Sequence, residues 1–378
     1  MPNLFSPFDL SGTRLGNRIV MAPMTRARAT TCVADEKTAL YYTQRASAGL
    51  IISEGTPVSE QAMGYLFIPG IYTPAHITGW QRVTKSIHAQ GSKMFAQLWH
   101  VGRVSHTSIK SDGAAPVGAS DIQAIGAKAF GYGPDGTPDL IDASKPRALE
   151  TDEVDRVIED FAQGSENAIA AGFDGVEIHG ANGYLLDQFI NPLVNTRTDK
   201  YAAQTLNGRL RFVLDLVDAV VDRVGRNRVG IRLSPYGQPF AMPLFDGIPE
   251  TFQTLVAALA DRGIAYVHFM DHSRAGSSTN GRPLDPEKMQ RFDALMSSFR
   301  AHSGDMAIIL ASAMTKDRAT QLIRENVIDL PAFGRPFIAN PDLVSRLAAG
   351  HPLAEPNPDT FYGGGNEGYL TYPPYDGA

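Results

Sequence analysis

Residues 172–191 read GFDGVEIHGANGYLLDQFIN, and this stretch decides the fold that we predict for the whole chain. Within it, residues 175–179 form a short apolar run bounded by turn residues, which is typical of a buried parallel strand. A turn rich in glycine and a second apolar segment follow, as expected where a strand leads into a helix. The stretch therefore predicts one βα unit of an α/β protein.

Three polar side chains, His179, Asn182 and Tyr184, follow this strand within six residues. If the turn is helical, the spacing of three would aim N–H donors of His179 and Asn182 into one pocket. The Tyr184 hydroxyl adds a source of protons beside them. Two donors and an acid suit a substrate carbonyl that becomes enolate-like during reaction. On these residues alone, a βα corner whose polar side chains only cap the helix stays open as the alternative.

The same rhythm of an apolar run followed by an amphipathic segment recurs along the chain. Eight runs occur, at residues 19–22, 50–53, 94–98, 175–179, 229–233, 266–269, 307–310 and 330–333. Helical periodicity is evident at residues 210–224, 251–263 and 316–326, and Thr151 is predicted to cap a further helix. Alternating strands and helices predict a parallel sheet, and eight units predict its closure into a single (β/α)8 TIM barrel.

Three segments fall outside this rhythm. Residues 25–43 are polar, and we expect them to be irregular. Residues 102–150, rich in Gly, Ala, Pro and Asp, predict an inserted segment with a hairpin that caps the active face after the third strand. The tail, residues 352–378, is predicted to wrap the barrel as a loop. Because no linker divides the chain, we predict one domain over residues 1–378.

Composition excludes several classes of function. The net charge is -6 and Lys and Arg form no cluster, which argues against a nucleic-acid partner. With Cys32 as the one cysteine, an intrachain disulfide is impossible. No stretch has the length and apolarity of a membrane span or a secretory signal, so we expect a cytoplasmic protein with no membrane partner.

In a barrel of this kind, chemistry lies at the carboxyl ends of the strands, so residues there are the candidates for function. Gln97 and Arg232 match the edge of a flat heterocycle, where the guanidinium would stabilise negative charge. The pairs at residues 312–313 and 334–335 resemble the phosphate site that forms after strands seven and eight. A site that binds the edge of a flat heterocycle, together with a phosphate site, suggests a phosphorylated flavin.

Purely structural roles stay open as alternatives for several of these residues. Gln97 could satisfy a strand end, Arg335 could form a surface ion pair, and His100 could be a buried structural histidine. His268 and His272 are four residues apart, but His268 falls in a predicted strand, whereas that spacing is typical of metal ligands on a helix. We therefore expect no metal.

Taken in order, the motifs resemble those of the Old Yellow Enzyme family of FMN-dependent ene-reductases, which includes 2-cyclohexenone and N-ethylmaleimide reductases. The matching stretches are NRIVMAPMTR (residues 17–26), QLWHVGR (97–103), HGANGYLLDQF (179–189), AFGRPFIANPDL (332–343) and FYGGGNEGY (361–369). Several long motifs in the correct order, spread over nearly the whole chain, make the resemblance specific.

The resemblance implies a tightly bound, non-covalent FMN that NADPH or NADH reduces. Thr25 would hydrogen-bond flavin O4, and Gln97 with Arg232 would hold the pyrimidine edge. The remaining cofactor contacts would come from the backbone around the ring and from the phosphate site: Pro23, Met24, Gly55, Ser312, Ala313, Gly334 and Arg335.

The resemblance also implies the reaction, the reduction of the C=C bond of activated alkenes with ping-pong kinetics. His179 and Asn182 would hold the oxygen of an α,β-unsaturated carbonyl, maleimide or nitro compound. Flavin N5 would pass a hydride to Cβ, and Tyr184 would protonate Cα. The substrate pocket would be lined by Tyr65, Trp99 and Tyr362. Monomer and homodimer both stay open.

The chain departs from the family pattern at Ala202 and Ala203, where Gly-Gly is usual, and at residues 310–313, which are less rich in glycine. Two other functions stay open. One is a flavin-binding barrel without ene-reductase activity. The other is a metal-dependent barrel hydrolase that uses His179, His268 and His272.

Overall fold

A computed structural model describes residues 3–274 and 285–377. Its strands are β1 (Phe8–Leu10), β2 (Thr13–Leu15), β3 (Val20–Met21), β4 (Leu50–Pro57), β5 (Lys93–Trp99), β6 (Val117–Gly118), β7 (Lys128–Tyr132), β8 (Pro138–Asp142), β9 (Arg147–Ala148), β10 (Gly175–Gly180), β11 (Val229–Leu233), β12 (Tyr266–Met270), β13 (Ala307–Ala311) and β14 (Leu330–Phe333).

Eight of these strands close into a parallel barrel in the order β3, β4, β5, β10, β11, β12, β13 and β14. The last strand returns to the first, with Phe333 beside Met21. The predicted TIM barrel is confirmed. The predicted runs at residues 229–233 and 330–333 match β11 and β14, while β4 continues four residues beyond its predicted end, through an irregularity between Ile52 and Gly55.

The helices are α1 (Glu36–Thr43), α2 (Pro74–His88), α3 (Thr151–Ala170), α4 (Leu185–Ile190), α5 (Leu206–Val224), α6 (Ile248–Arg262), α7 (Pro286–His302), α8 (Lys316–Arg324), α9 (Arg335–Ala339) and α10 (Leu343–Ala349). In the described part of the chain, none of them has the length and apolar character needed to cross a bilayer.

Two local predictions about the helices are wrong. Thr151 does not cap α3 but is its first residue, and Glu150 precedes it with its N–H on the Glu153 carboxylate (2.9 Å). Residues 25–43 are not irregular throughout, because α1 begins within them, where the Asp35 side chain accepts the Thr38 N–H (2.9 Å). The first error arises because Thr, Asp and Glu near a helix start compete for the same free N–H groups.

The interior of the barrel is filled by apolar side chains at the amino ends of the strands. Phe95 and Tyr266 are its largest members, and each ring occupies space that a glycine on the neighbouring strand leaves open. A Cβ atom on Gly175 would lie 2.5 Å from the Phe95 ring, and one on Gly230 would lie 2.2 Å from the Tyr266 ring. Strands β1 and β2 form an antiparallel hairpin whose buried leucines join the same cluster.

Between β5 and α3 the chain leaves the barrel and forms its own small elements. Strands β7 and β8 pair as an antiparallel hairpin, and β6 pairs with β9 in parallel. Phe130 in β7 bridges to Tyr65 in the segment after β4. Lys110 fastens the start of this region, because its ammonium donates to three backbone carbonyls, those of Glu60, Gln61 and Met63.

Two buried arginines after β3 hold the C-terminal segment against the barrel. Arg26 donates from Nε to the Phe361 carbonyl (2.9 Å) and from Nη2 to the Gly368 carbonyl (2.8 Å). Arg28 donates from Nε to the Gly365 carbonyl (3.0 Å). Since backbone carbonyls withdrawn from water need donors, these two side chains determine the path of residues 360–368.

Replacement of Arg28 by Met should therefore loosen the tail. Arg28 also donates from Nη2 to the carbonyls of Thr360 (2.9 Å) and Glu367 (3.2 Å), and Met offers no donor to any of them. We expect the free energy of unfolding in urea to fall by about 3 kcal/mol and the Gly363 amide to exchange faster with solvent. The matched control, Arg324→Met at the exposed end of α8, should change neither quantity. Equal stability and exchange in Arg28→Met would contradict the assignment.

Candidate active site

A buried carboxylate, Glu177, forms the floor of the site. It lies on β10 and accepts hydrogen bonds from Gln97 Nε2 (2.7 Å) and His268 Nδ1 (2.8 Å) on other barrel strands. Burial by itself raises the pKa of Glu177, but His268, the nearby Arg232 cation and the two hydrogen bonds together bring it below the ordinary value. Because burial lowers the pKa of His268, Glu177 is the anion and Arg232 its cationic partner.

His179 lies two residues after Glu177 on the same strand and is 3% exposed. Its Nδ1 accepts a long hydrogen bond from the Ala181 N–H (3.4 Å), which leaves the proton of the neutral ring on Nε2. Burial lowers the pKa of His179 well below its usual range, and the neighbouring charge of Arg232 lowers it further. The imidazole is therefore a neutral N–H donor at pH 7.

Asn182 follows in a turn that is not helical, so the condition under which the spacing of three would align it with His179 is not met. Its φ of 60° is left-handed, and α4 begins only at Leu185. The Asn182 N–H donates to Ser234 Oγ (2.7 Å), and the Gly183 N–H donates to the Asp187 carboxylate (2.8 Å). Two side chains therefore hold this backbone, and the conformation of Asn182 does not come from a helical repeat.

Tyr184 completes the group at the start of α4, with its ring centroid 5.2 Å from that of His179. Its hydroxyl lies 3.2 Å from the hydroxyl of Tyr65, and its ring meets Trp99 edge-on at 4.9 Å. Burial raises the pKa of Tyr184 well above its usual range and that of Tyr65 to about 12. The structure thus brings His179, Tyr184, Tyr65 and Trp99 into one aromatic pocket.

Tyr362 stands at the rim of this pocket. Its side chain is 66% exposed, and the Gly363 N–H next to it donates to the Arg26 carbonyl (3.0 Å). After burial, the Tyr362 phenol is a further influence that raises the pKa of Tyr184. The tail anchored by Arg26 therefore brings Tyr362 close to the buried phenols.

Gly55 on β4 makes room for the ring of Trp99 on the neighbouring strand β5. A Cβ atom on Gly55 would lie 2.2 Å from Cε3 of Trp99, far inside van der Waals contact. The close approach of this indole therefore requires a glycine at position 55.

Arg232 and Gln97 lie on the two strands that flank Glu177, β11 and β5. Arg232 is buried, and its Nε has no hydrogen-bond partner within residues 3–274 and 285–377. Its Nη2 contacts only the Met270 sulfur (3.5 Å) among the bonds that the structure describes. Gln97 donates one amide N–H to Glu177 and keeps its second. A buried guanidinium with an unused donor suits an acceptor-rich group.

The ends of β13 and β14 present a second polar area. Ser312 and Ala313 have φ values of 131° and 43°, in the region that favours glycine, and the buried Ser312 hydroxyl has no partner in the described part of the chain. A Cβ atom on Gly334 would meet nothing nearer than the Met24 sulfur at 3.7 Å. Arg335, exposed, begins α9 beside it. The area has space and donors for an anion.

Residues after β3 lie between these two areas. The Ala22 N–H still pairs with the Phe333 carbonyl (3.0 Å), which fixes the end of the strand at the rim. Pro23, Met24 and Thr25 are each half-buried there. Met24 borders Gly334, since its sulfur would lie 3.7 Å from a Cβ atom on that glycine.

The three histidines proposed for a metal do not share a site. His268 is committed to Glu177, whereas His272 Nε2 lies 2.9 Å from Asn182 Oδ1. Across the residues that the structure describes, no three His, Cys, Asp or Glu side chains come together as ligands. His100 is fully buried, accepts the Gly102 N–H on Nδ1 (3.0 Å) and has a pKa lowered to about 3 by burial, in keeping with a structural role.

Sequence reasoning missed the residues that hold the site from behind. Glu177 falls within a predicted strand, and its separation of two from His179, which puts both side chains on the inward face, is the signal that could have found it. Ser234, Asp187 and His272 gave no motif that linked them to Asn182. Their role depends on contacts between βα loops that are far apart in sequence.

Comparison with known proteins identifies the chain. Residues 3–354 match the NADH:flavin oxidoreductase / NADH oxidase family. The chain belongs to this family, the Old Yellow Enzymes. The Old Yellow Enzyme homologue from Zymomonas mobilis is 34% identical to it, with a TM-score of 0.89 over 98% of this chain and 99% of that one.

Other relatives are similarly close. Morphinone reductase shares 42% identity and a TM-score of 0.93, covering 100% of this chain and 97% of its own. The 12-oxophytodienoate reductase 1 of Oryza sativa subsp. japonica is 37% identical over 362 residues, which are 95% of this chain and 89% of that protein. The chain is thus an NAD(P)H-dependent flavin oxidoreductase of the ene-reductase class.

The carboxyl of Asp187, which holds the Asn182 loop, should make stability depend on pH. Burial raises its pKa to about 7, above the value of about 3.9 for an unfolded chain. Between these two pKa values, the folded state keeps a proton on Asp187 that the unfolded state loses. The contribution of the protonated carboxyl to the free energy of unfolding is therefore fully present below pH 4 and is lost as the pH rises through 7. The unfolding free energy of Asp187→Asn minus that of wild type should increase by on the order of 2 to 4 kcal/mol as the pH rises from 4.5 to 7.5.

Urea titrations at several pH values measure this difference. The exposed Asp305→Asn variant serves as the control and should keep a constant offset from wild type. A constant offset for Asp187→Asn as well would show that the carboxyl does not titrate in this window.

Proposed function

We propose that this Old Yellow Enzyme is an FMN-dependent reductase of alkenes conjugated to an electron-withdrawing group. Its substrates would be α,β-unsaturated carbonyls, maleimides and nitro compounds. The observation that carries the proposal is the meeting of a neutral His179 donor and the protonated hydroxyl of Tyr184 in one pocket, beside the Asn182 loop that Ser234 holds. A donor and a proton source are what conjugate reduction of an alkene requires from a protein.

The polar atoms at the barrel mouth support a phosphorylated flavin as the resident cofactor. Arg232 and Gln97 would hold the pyrimidine edge, and Thr25 would bind O4. Backbone contacts would come from Pro23, Met24 and Gly55, and the phosphate would be held by Ser312, Ala313, Gly334 and Arg335. The unused Arg232 Nε and the buried Ser312 hydroxyl are the two donors that most need such a group.

FMN, when bound and reduced by NADPH or NADH, would supply a hydride for Cβ of the alkene. His179 and Asn182 hold the carbonyl or nitro oxygen through Nε2–H and Nδ2–H. Both donors are neutral, so they stabilise negative charge on that oxygen without giving up a proton. They thereby lower the electron density at Cβ and orient the double bond.

Tyr184 completes the addition by giving its hydroxyl proton to Cα. Its raised pKa keeps the phenol protonated until the enolate-like carbon forms, and the Tyr65 hydroxyl at 3.2 Å can hydrogen-bond the phenolate that remains. One hydride and one proton account for the two hydrogen atoms gained by the alkene.

The size of substrate that the pocket admits would be set by the aromatic side chains around these donors. Trp99 stacks on Tyr65 with centroids 5.5 Å apart, and Tyr362 stands at the rim. Morphinone reductase has been solved with tetrahydroNAD, a nicotinamide analogue. We infer that the nicotinamide and the alkene use the same pocket in turn, which gives ping-pong kinetics.

An absorbance experiment tests the cofactor and the reaction together. The purified protein should be yellow, should bleach anaerobically with NADPH or NADH, and should regain its colour with 2-cyclohexenone. A protein that bleaches but is not reoxidised by any activated alkene would favour a flavin barrel without ene-reductase activity. A protein that stays colourless after FMN is supplied would contradict the flavin site itself.

Tyr184→Phe separates the proton donor from the other groups. The variant should reduce 2-cyclohexenone about 10²- to 10⁴-fold more slowly, because general acid catalysis is lost. Reduction of its flavin by NADPH or NADH should stay within a few-fold of wild type, since that half-reaction needs no proton on carbon. Stopped-flow absorbance measures both, with Tyr132→Phe in the exposed hairpin as the control. Equal losses in both half-reactions would refute the role of Tyr184.

A further inference from the structure

His272 is a polar residue at the site to which the reaction above gives no role. It follows β12 by two residues, and its Nε2 lies 2.9 Å from Oδ1 of Asn182, on a loop 90 residues earlier. The hydrogen bond joins the segment after β12 to the one after β10. Neither segment needs the bond for barrel closure, because β11 lies between those strands.

The end of Asn182 that faces the pocket depends on a hydrogen-bond partner. A carboxamide has nearly the same shape after a half-turn about its last bond, but one end donates and the other only accepts. A neutral imidazole that carries its proton on Nε2 donates to Oδ1. The Nδ2–H₂ group is then turned away from His272 and stays free to bind the substrate oxygen.

Several contacts keep His272 where it can do this. Gly237 packs against its ring so closely that a Cβ atom there would lie 2.8 Å from Cδ2. The preceding residue, Asp271, is fully buried, and its N–H donates to the Ala311 carbonyl (3.0 Å). On the other side, the Asn182 N–H is fixed on Ser234 Oγ (2.7 Å). Both partners of the hydrogen bond are therefore held independently.

We propose that His272 is a positioning residue that locks Asn182 with its N–H donors toward the substrate, beside His179. This inference rests on the proposed function. His272 itself need not touch the substrate. It acts by preventing the carboxamide from turning its oxygen toward an oxygen that is gaining negative charge, which would replace an attraction by a repulsion.

The charge of His272 is not part of this role. Burial, and after it the nearby Arg232, lower the pKa of His272 to about 4. The ring is therefore neutral across the pH range of ordinary assays. A positioning hydrogen bond from a neutral donor predicts that its loss changes affinity without a new pKa in the pH profile.

The test uses the FMN-loaded full-length enzyme and 4-nitrophenol as the probe, because a phenolate places an oxyanion where the enolate oxygen would form. Its dissociation constant is read from the change in flavin absorbance. His272→Leu should weaken binding about 10-fold, a loss typical of one buried hydrogen bond. His272→Gln, which keeps an N–H donor, should recover binding to within about threefold of wild type. The control variant His302→Leu, at the exposed end of α7, should bind as wild type does.

A double-mutant cycle shows whether His272 acts through Asn182. In an Asn182→Leu background, His272→Leu should cause no further loss, because the carboxamide that it orients is gone. The same loss in both backgrounds, or unchanged binding in His272→Leu, would overturn the inference. Flavin content and thermal midpoint, measured on each variant, identify any that lose binding through misfolding.

Turnover of 2-cyclohexenone by wild type keeps the two proposals apart. If wild type reduces the enone and the cycle shows no coupling, only the role of His272 fails. If wild type reduces no activated alkene yet the cycle shows coupling in phenolate binding, the proposed function fails and the positioning role stands. A wild-type enzyme that binds no phenolate would contradict the inference as well, since no oxyanion site would then exist.

Discussion

The ionised carboxylate of Glu177 inside the barrel constrains everything above it. A buried anion is tolerated only when it is paired and hydrogen-bonded, and here the partners come from three other strands: Gln97, Arg232 and His268. Their side chains must therefore turn inward at the same level. This polar layer separates the apolar packing around Phe95 from the pocket, so it forms both the top of the core and the floor of the site.

Above that floor, the reactive groups are carried by loops that other loops hold. The left-handed Asn182 is fixed by Ser234 from the end of β11, by Asp187 from α4 through Gly183, and by His272 from the end of β12. A barrel is suited to such support because neighbouring βα loops emerge side by side at one rim. The geometry of a single asparagine thus depends on the helix that follows it and on two segments that lie far from it in the sequence.

The parts that local pattern determines were predictable. The runs at residues 229–233 and 330–333 are strands with those bounds, since a buried parallel strand needs only a short apolar run between turn signals. The motif around His179 and Tyr184 also singled out two side chains whose rings the structure brings within 5.2 Å of each other. Pattern could not reveal that Asn182 lies outside a helical turn or that Gly55 makes room for Trp99, because both follow from contacts with neighbouring strands and loops that are distant in the sequence. For Glu177 the spacing of two from His179 is a signal within the sequence, but its partners Gln97 and His268 lie on other strands and share no motif with it.

The close approach of Trp99 to Gly55 ties the volumes of two positions together. The indole occupies the space into which any larger residue at position 55 would project, so that position can grow only when position 99 shrinks. Evolution toward the reduction of bulkier alkenes, and laboratory libraries with the same aim, would then require substitutions at positions 55 and 99 together. Scanning either position singly would miss the combinations in which a new side chain on β4 refills the void left on β5.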